Sequence, residues 1–403
     1  MVFKVKIKKN LLAGTKINKY SFLMVLLYIM PFVDSVSGAF HDELPIGQIY
    51  RLVLFFYMLT LLMTVSKRTF RNVLFPFMVF LLIQSIVSSN YIKDSLQGVI
   101  KLFTPIILVS LIQTLQKEKK YKLDIFNLMD FWSIAYPVLI LVPGLMGIGI
   151  SAYEGEIGWK GFFYAVNEIS FILSSLVAYM FWRLNFKSNM YSLFVLAFNC
   201  LCVALMGTKM GYATVFVFLI LFIFAFMRNE NQKQSLKILI LICFLVFVII
   251  YYKDQIIQST SLIFERWRYL RKHSYSTTDF LFSMRLRRLN KAITLFTKEM
   301  HYLFGWGFGG SDFGYPNMEM DFLDLLFQTG IFGLFYILYF YGKQLVSVFH
   351  KNLWGVAIII WSLALSFGAG HVLFYGQSGM MLAANIILAY EIKSQTQNRK
   401  RIS

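Results

Sequence analysis

Acidic side chains are scarce in this chain: 20 Asp and Glu stand against 39 Lys and Arg in 403 residues, a net charge of +19. Charged residues of both signs reach only 15%, while 58% of positions are hydrophobic. So few charges exclude water as the main solvent of a chain this long and point to a lipid bilayer. Cysteine is nearly absent, and Cys200, Cys202 and Cys243 all fall in apolar stretches. They read as small buried hydrophobes, with no disulfide framework or metal-ligand set among them. Strict apolar–polar alternation is missing from the long runs, which excludes a transmembrane barrel. There is no repeat of 20–50 residues and no similarity between the two halves. Such symmetry is the usual mark of a secondary transporter, so its absence argues against transport.

What the chain does have is apolar segments of membrane-spanning length. A hydrocarbon core of ~30 Å takes about 20 apolar residues per helical crossing, and backbone groups in lipid must bond internally. An all-α polytopic integral membrane protein follows, with about twelve spans near 20–37, 45–65, 73–89, 96–115, 124–147, 162–182, 190–206, 210–227, 236–252, 321–341, 353–369 and 372–391. The first span follows "KVKIKKN" with no small-residue cleavage pattern before Pro31 and Asp34, so it is expected to stay in place. The connections starting "SKRTFRN", "QKEKKYK", "RLNFKSN", "RNENQKQSLK" and "GKQLVSVFHKN", with the two termini, hold most of the Lys and Arg. By the positive-inside rule these pieces and both termini are cytoplasmic. The basicity therefore sets orientation and meets anionic lipid headgroups, and nucleic acid is not a partner.

One segment departs from that pattern. Residues 253–320 form the only long outer connection, and they carry ten Lys and Arg against six acids. Long loops translocate largely regardless of charge, and a basic loop on the outer face suits an anionic ligand. The chain reads as one membrane domain, 1–403, bearing this loop. Within it, "DFLFSMRLRRLNKAITLFTKEM" predicts an amphipathic helix near 279–300, with Phe282, Leu286, Leu289 and Ile293 at helical spacing. Arg285 and Arg288, three apart, would be surface neighbours able to grip a phosphate jointly. A helix lying on the membrane surface would show the same stripes.

Charges at the membrane edge are the other candidates, because burying them is costly. Arg51 and Lys101 lie within a turn or two of their span ends, where snorkelling accounts for them. "GWKGFFYAVNEIS" carries Asn167 and Glu168 about two turns into a helix, behind Glu154, Glu156 and Lys160. A carboxylate there needs a cation or a donor, and a polar contact between helices is the plainer reading. "LMGTKMGY" predicts a tight outer connection at Gly207 and Gly211 with Lys209 as its only cation. "FGWGFGGSDFGYP" has five glycines but no Lys-Ser/Thr ending, so nucleotide binding is not indicated. Glu319, Asp321 and Asp324 then crowd the mouth of the next helix. Acids there are favoured by the helix dipole, yet three within six residues exceed what capping requires.

Taken in order, these pieces resemble the O-antigen ligase and O-antigen polymerase superfamily of bacterial surface-polysaccharide assembly. That family has about a dozen spans, a large late outer loop, and the elements "GFF-N-N", "SR-G", "S-R---W", "GWG-G" and "HN-YL-----GIIG". The corresponding text here is "GFFYAVNEIS", "GTKMG", "SMRLRRL", "GWGFGG" and "EMDFLDLLFQTGIFG". Lys209 stands where ligases commonly have arginine, and Glu319 stands where they have histidine. The second departure suits a repeat-unit polymerase of the capsule or exopolysaccharide type.

The resemblance implies glycosyl transfer, without a cofactor or metal, on the outer face of the plasma membrane. The donor would be a glycan on undecaprenyl diphosphate, and the acceptor a sugar hydroxyl of another lipid-linked repeat unit. Membrane lipids and other polysaccharide-assembly membrane proteins are the remaining expected partners. Arg285, Glu319 and Asp321 are the catalytic candidates it implies, and Lys209, Arg288, Asp324, Glu168 and Asn167 the substrate-binding ones. A ligase moving finished glycan to another acceptor and a flippase for the lipid-linked oligosaccharide are the alternatives.

Overall fold

Short polar side chains start many of the helices. Ser66 alone separates two of them: its N–H closes on Leu62 at 3.0 Å while its Oγ accepts from Thr69 N at 3.3 Å. Asp124, Asn189 and Asn352 cap later helices in the same way, meeting otherwise unpaired N–H groups. The computed structural model describes residues 19–40, 44–121, 123–153, 157–186, 189–227, 253–298, 301–349, 352–370 and 372–402. Its helices up to the long loop are α1 (Lys19–Ala39), α2 (Ile46–Val65), α3 (Lys67–Val87), α4 (Ile92–Lys117), α5 (Ile125–Leu145), α6 (Val166–Phe186), α7 (Met190–Met206) and α8 (Lys209–Met227). A hairpin, β1 (Ser151–Tyr153) paired antiparallel with β2 (Ile157–Trp159), precedes α6.

The loop region holds α9 (Lys253–His273), α10 (Thr277–Leu281), a tight turn at Arg285–Arg288 and α11 (Leu289–Lys298). Three helices close the chain: α12 (Asp321–Phe349), α13 (Leu353–Ala369) and α14 (Gly376–Ile402). Among the described residues, seven helices are long and apolar enough to cross a membrane, α1 to α6 and α12. The chain is thus an all-α, multi-spanning membrane protein. Helices α7, α8 and α13 are apolar but shorter, and the expected span at 236–252 lies outside the described residues.

Helices α4, α6 and α14 form the centre of the bundle, and the side chains of α4, α6 and the part of α14 up to Ile392 are the most enclosed among those described. Lipid is as apolar as leucine, so interhelical polar contacts count beside packing. Asn385 donates to Ser175 and Ser362, both at 2.9 Å, and ties α14 to α6 and α13. Asn199 donates to the Ser133 carbonyl at 2.8 Å and joins α7 to α5. Each such bond contributes about 0.6 kcal/mol in a bilayer. By contrast α3 is peripheral, only 17% of its apolar window being buried, and it turns Phe75, Leu82 and Ile86 outward.

Two expectations for the loop region change shape. The segment 279–300 is not one amphipathic helix, because Ser283 and Met284 take left-handed backbone, at φ 51° and 64°. Asp279 causes the reversal: its carboxylate accepts from Tyr275 N at 3.1 Å and from Arg287 Nη2 at 2.9 Å, and its carbonyl accepts from Met284 N at 2.7 Å. The span expected at 321–341 is likewise interrupted. Gly330 sits at φ 69°, ψ −171° and cuts α12 into a half-helix, 321–329, and a longer piece, 331–349. A Cβ at Gly330 would lie 2.2 Å from the Leu303 carbonyl oxygen, so only glycine admits the loop at this depth. The glycine-rich loop then caps the half-helix. Trp306 N and Gly307 N donate to the Phe327 and Gln328 carbonyls, each at 2.9 Å.

Candidate functional site

Arg285 and Glu319 are presented by unusual backbone on separate supports. Met284, immediately before Arg285, and Glu319 itself, at φ 55°, are both left-handed non-glycine residues. Such conformations cost of order 1 kcal/mol or more and persist where the surroundings demand them. Here they turn two side chains toward each other. Arg285 Nε lies 3.4 Å from Glu319 Oε2, and Arg288 Nη1 lies 3.6 Å from Oε1 of the same carboxylate. Arg285 also donates to the Gly368 carbonyl at 3.1 Å, and Arg288 to the Asn317 carbonyl at 2.8 Å. Arg287, between them in sequence, faces away and grips Asp279 through Nε and Nη2. Burial alone would raise the Asp279 carboxyl, but the Tyr275 N–H and the Arg287 guanidinium outweigh it and hold it below the usual carboxylate range.

Glu319 stands between two cavities. The larger, about 810 Å³, is walled by apolar groups such as Trp267, Leu270, Phe282 and Leu365, and carries Lys209, Arg266 and Arg285. The smaller, about 250 Å³, is lined mainly by polar groups, among them Asp94, Gln97, Asn317 and Gln328. Glu319 lines both. A basic, apolar-walled cavity suits an amphiphile with an anionic head, and the amide-lined one suits a hydroxyl-rich group. The carboxylate between them can accept a proton from a group bound in the second.

The remaining candidates divide. Lys209 lines the large cavity, but its ammonium is held by the Phe280 carbonyl at 2.6 Å and rests over the Phe280 ring at 3.8 Å. Asn167 lines the same cavity, while its neighbour Glu168, 7% exposed, faces a third cavity of about 360 Å³. Asp321 and Asp324 both line the 250 Å³ cavity, yet their carboxylates serve the backbone. Asp321 Oδ2 accepts from Ser366 Oγ, Val372 N and Leu373 N at 2.7–2.9 Å. Asp324 accepts from Met318 N at 2.7 Å and Met320 N at 2.9 Å, which pins the turn on which Glu319 sits. The three acids at the helix mouth therefore split into one that meets the arginines, one that pins its turn, and one that holds the segment 366–373.

Sequence reasoning did not single out Arg266 or Asp34. The Arg266 guanidinium lies 3.4 Å from the Tyr153 ring centre and lines the large cavity, joining α9 to the hairpin. Burial pushes the Tyr153 phenol up while Arg266 pulls the other way. "ERWRYLRK" offers four cations on one helix, and nothing in that run distinguishes the one that turns inward. Asp34 pairs with Arg51 at 2.8 Å with its side chain fully enclosed; an acid within an apolar run was the available signal. Arg51 and Lys101, which snorkelling accounts for in sequence, line the 360 Å³ cavity. No model of a known protein family matches this chain, and neither a curated protein nor a solved structure matches it.

Proposed function

We propose that this chain is a polysaccharide polymerase of the O-antigen ligase and polymerase type, a glycosyltransferase of the bacterial plasma membrane. In this reading about twelve spans place both termini in the cytoplasm and the loop 253–320 on the outer face, an orientation that the distribution of Lys and Arg favours. The donor is a glycan on undecaprenyl diphosphate, seated in the 810 Å³ cavity. The acceptor is the terminal sugar of another lipid-linked unit, seated in the 250 Å³ cavity. The observation that carries the reading is the position of Glu319 between these cavities, 3.4 Å from Arg285.

The bond from the anomeric carbon to the diphosphate oxygen breaks, and its electron pair leaves on the diphosphate. Fixed cations stabilise that growing charge best in a water-poor site, a task for Arg285 with Lys209 and Arg266 in the same cavity, supported by Arg288, which meets the same Glu319 carboxylate from outside that lining. Guanidinium suits it because its fork donates two parallel hydrogen bonds to phosphate. The acceptor hydroxyl oxygen bonds to the opposite face of the same carbon, and its proton passes to Glu319. Displacement in one step inverts the anomeric centre. Asp324 holds the Glu319 turn in place, Asp321 fixes the neighbouring segment 366–373, and the mechanism needs no metal because side-chain cations hold the leaving group.

The test is elongation of purified lipid-linked repeat units by the purified protein in buffer free of metal and nucleotide. Ladders of product are expected, and Arg285→Ala is expected to slow them by about 10²–10³-fold, the usual effect of removing one charge-stabilising donor. A wild-type protein that leaves the units unjoined, or an Arg285→Ala variant at full rate, overturns the proposal. Glycans from a deletion strain separate the alternatives: single repeats for a polymerase, unattached polymer for a ligase, units trapped inside for a flippase.

A further inference from the structure

The third cavity, about 360 Å³, lies among α1, α2, α4 and α6 at the same end of the bundle, and the mechanism above makes no use of it. It collects four charges: Asp34, Arg51, Lys101 and Glu168. Asp34 is 1% exposed and Glu168 7%. Asp34 Oδ1 accepts from Arg51 at 2.8 Å, and the Tyr136 hydroxyl and the Gln377 amide also reach its carboxylate. Glu168 lies within the fields of Arg51 and Lys101. Charged groups placed inside a membrane protein mark a binding site by default, and these four surround an open cavity.

The balance of signs limits what can fill it. A metal cation would meet Arg51 and Lys101, and an anion would meet Asp34 and Glu168. A neutral polyol both donates and accepts at every hydroxyl, so one face of it can satisfy carboxylates and cations alternately. Gln48 and Gln377 add amides to the same wall, and Tyr164 and Tyr375 add aromatic faces for the C–H side of a sugar ring. The cavity also adjoins the proposed acceptor site, since Lys101 and Tyr375 line both. A chain of sugars entering at Glu319 would run past Lys101 into it.

We infer that the Asp34–Arg51–Lys101–Glu168 cavity is a saccharide subsite, which holds the part of the acceptor glycan beyond the sugar that reacts. The inference rests on the proposed transfer for its role in the reaction, but not for the binding itself.

Two readouts keep these apart. The soluble oligosaccharide released from the lipid-linked unit by mild acid serves as the probe, titrated onto the detergent-purified full chain. Binding is expected to weaken at least about tenfold in Glu168→Gln and Lys101→Met, each charge-assisted hydrogen bond contributing about 1.5–3 kcal/mol. In elongation, the same variants are expected to raise the acceptor KM by a similar factor and leave kcat within about threefold. Oligosaccharide binding that depends on Glu168 in a protein that does not elongate would keep the subsite and remove the polymerase. Should a variant fail to fold, Gln48→Ala decides, because Gln48 is exposed at the rim. Unchanged binding and unchanged acceptor KM in a folded variant overturn the subsite, leaving the four charges as a helix–helix contact.

Discussion

Replacing Glu319 by glutamine separates chemistry from folding more cleanly than any other single change. The carboxylate side chain is 36% exposed and its two ion pairs are long, 3.4 and 3.6 Å. Pairs of that kind contribute about 0.2–1 kcal/mol each, so their loss costs at most about 2 kcal/mol of stability. Glutamine keeps the shape and the left-handed backbone of the wild type. As a proton acceptor it is useless, and losing a general base costs about 10²–10⁴-fold in rate, equivalent to roughly 3–5 kcal/mol of barrier. The variant should therefore elongate lipid-linked units at least about a hundredfold more slowly while unfolding within a few degrees of wild type. Donor binding should hold or tighten, because Arg285 and Arg288 are released to the diphosphate. The assay is elongation at saturating donor and acceptor, beside thermal unfolding of the same preparation. A folded Glu319→Gln protein within about tenfold of the wild-type rate refutes Glu319 as the base, and so does a rate loss that merely follows the unfolded fraction.

Three further changes probe the supports of the site. Asp321→Ala leaves Val372 N, Leu373 N and Ser366 Oγ without their acceptor in a place 1% exposed; it should cost roughly 3–5 kcal/mol, and a melting temperature within about 2 °C of wild type would contradict the assignment. Gly330→Ala forces a side chain onto φ 69°, ψ −171° and against the Leu303 carbonyl. A strain of about 1–3 kcal/mol should loosen the glycine loop, read as faster hydrogen exchange at Trp306, Gly307 and Ile331; unchanged exchange argues against the clamp. Asp279 has a folded pKa below its unfolded one, so its stabilisation of the arginine turn is present above the unfolded value of ~3.9 and is lost as pH falls through the folded value. Protection of residues 275–288 should hold from neutral pH down to about 4, and a loss between pH 7 and 5 would sink that reading.

Seven membrane-crossing helices were legible because twenty apolar residues in a row leave few alternatives, while the caps at Ser66, Asp124, Asn189 and Asn352 were not read from the sequence. The juxtaposition of Arg285 and Glu319 was legible as chemistry: an arginine pair and a set of acids flanking a glycine loop. Division of labour within each set was not. Arg285 and Arg287 are two residues apart and equally basic, and a single carboxylate, Asp279, decides which of them reaches Glu319. Asp321 and Asp324 share a helical face with each other, but backbone N–H groups from 318–320 and 372–373, one set over fifty residues downstream, claim them. Periodicity failed at 279–300 and at Gly330 for a common reason: a tertiary contact overrode a strong local pattern. The Asp34–Arg51 pair joins two helices through charges that sequence treats separately, as a lone acid and a snorkelling base.

The peripheral position of α3 carries a consequence for the lipids around the protein. Its outer face meets acyl chains, while on its inner face Gln84 donates to the Phe304 carbonyl at 3.4 Å and the Gln328 carbonyl at 3.3 Å, and Ser88 lies beneath Gly307. A helix exposed to lipid along most of its length tilts when the hydrocarbon thickness changes, and here Gln84 ties that helix to the glycine loop and the half-helix below the proposed base. Reconstitution in bilayers of increasing acyl length should therefore shift turnover, and alanine at Gln84 should flatten that response.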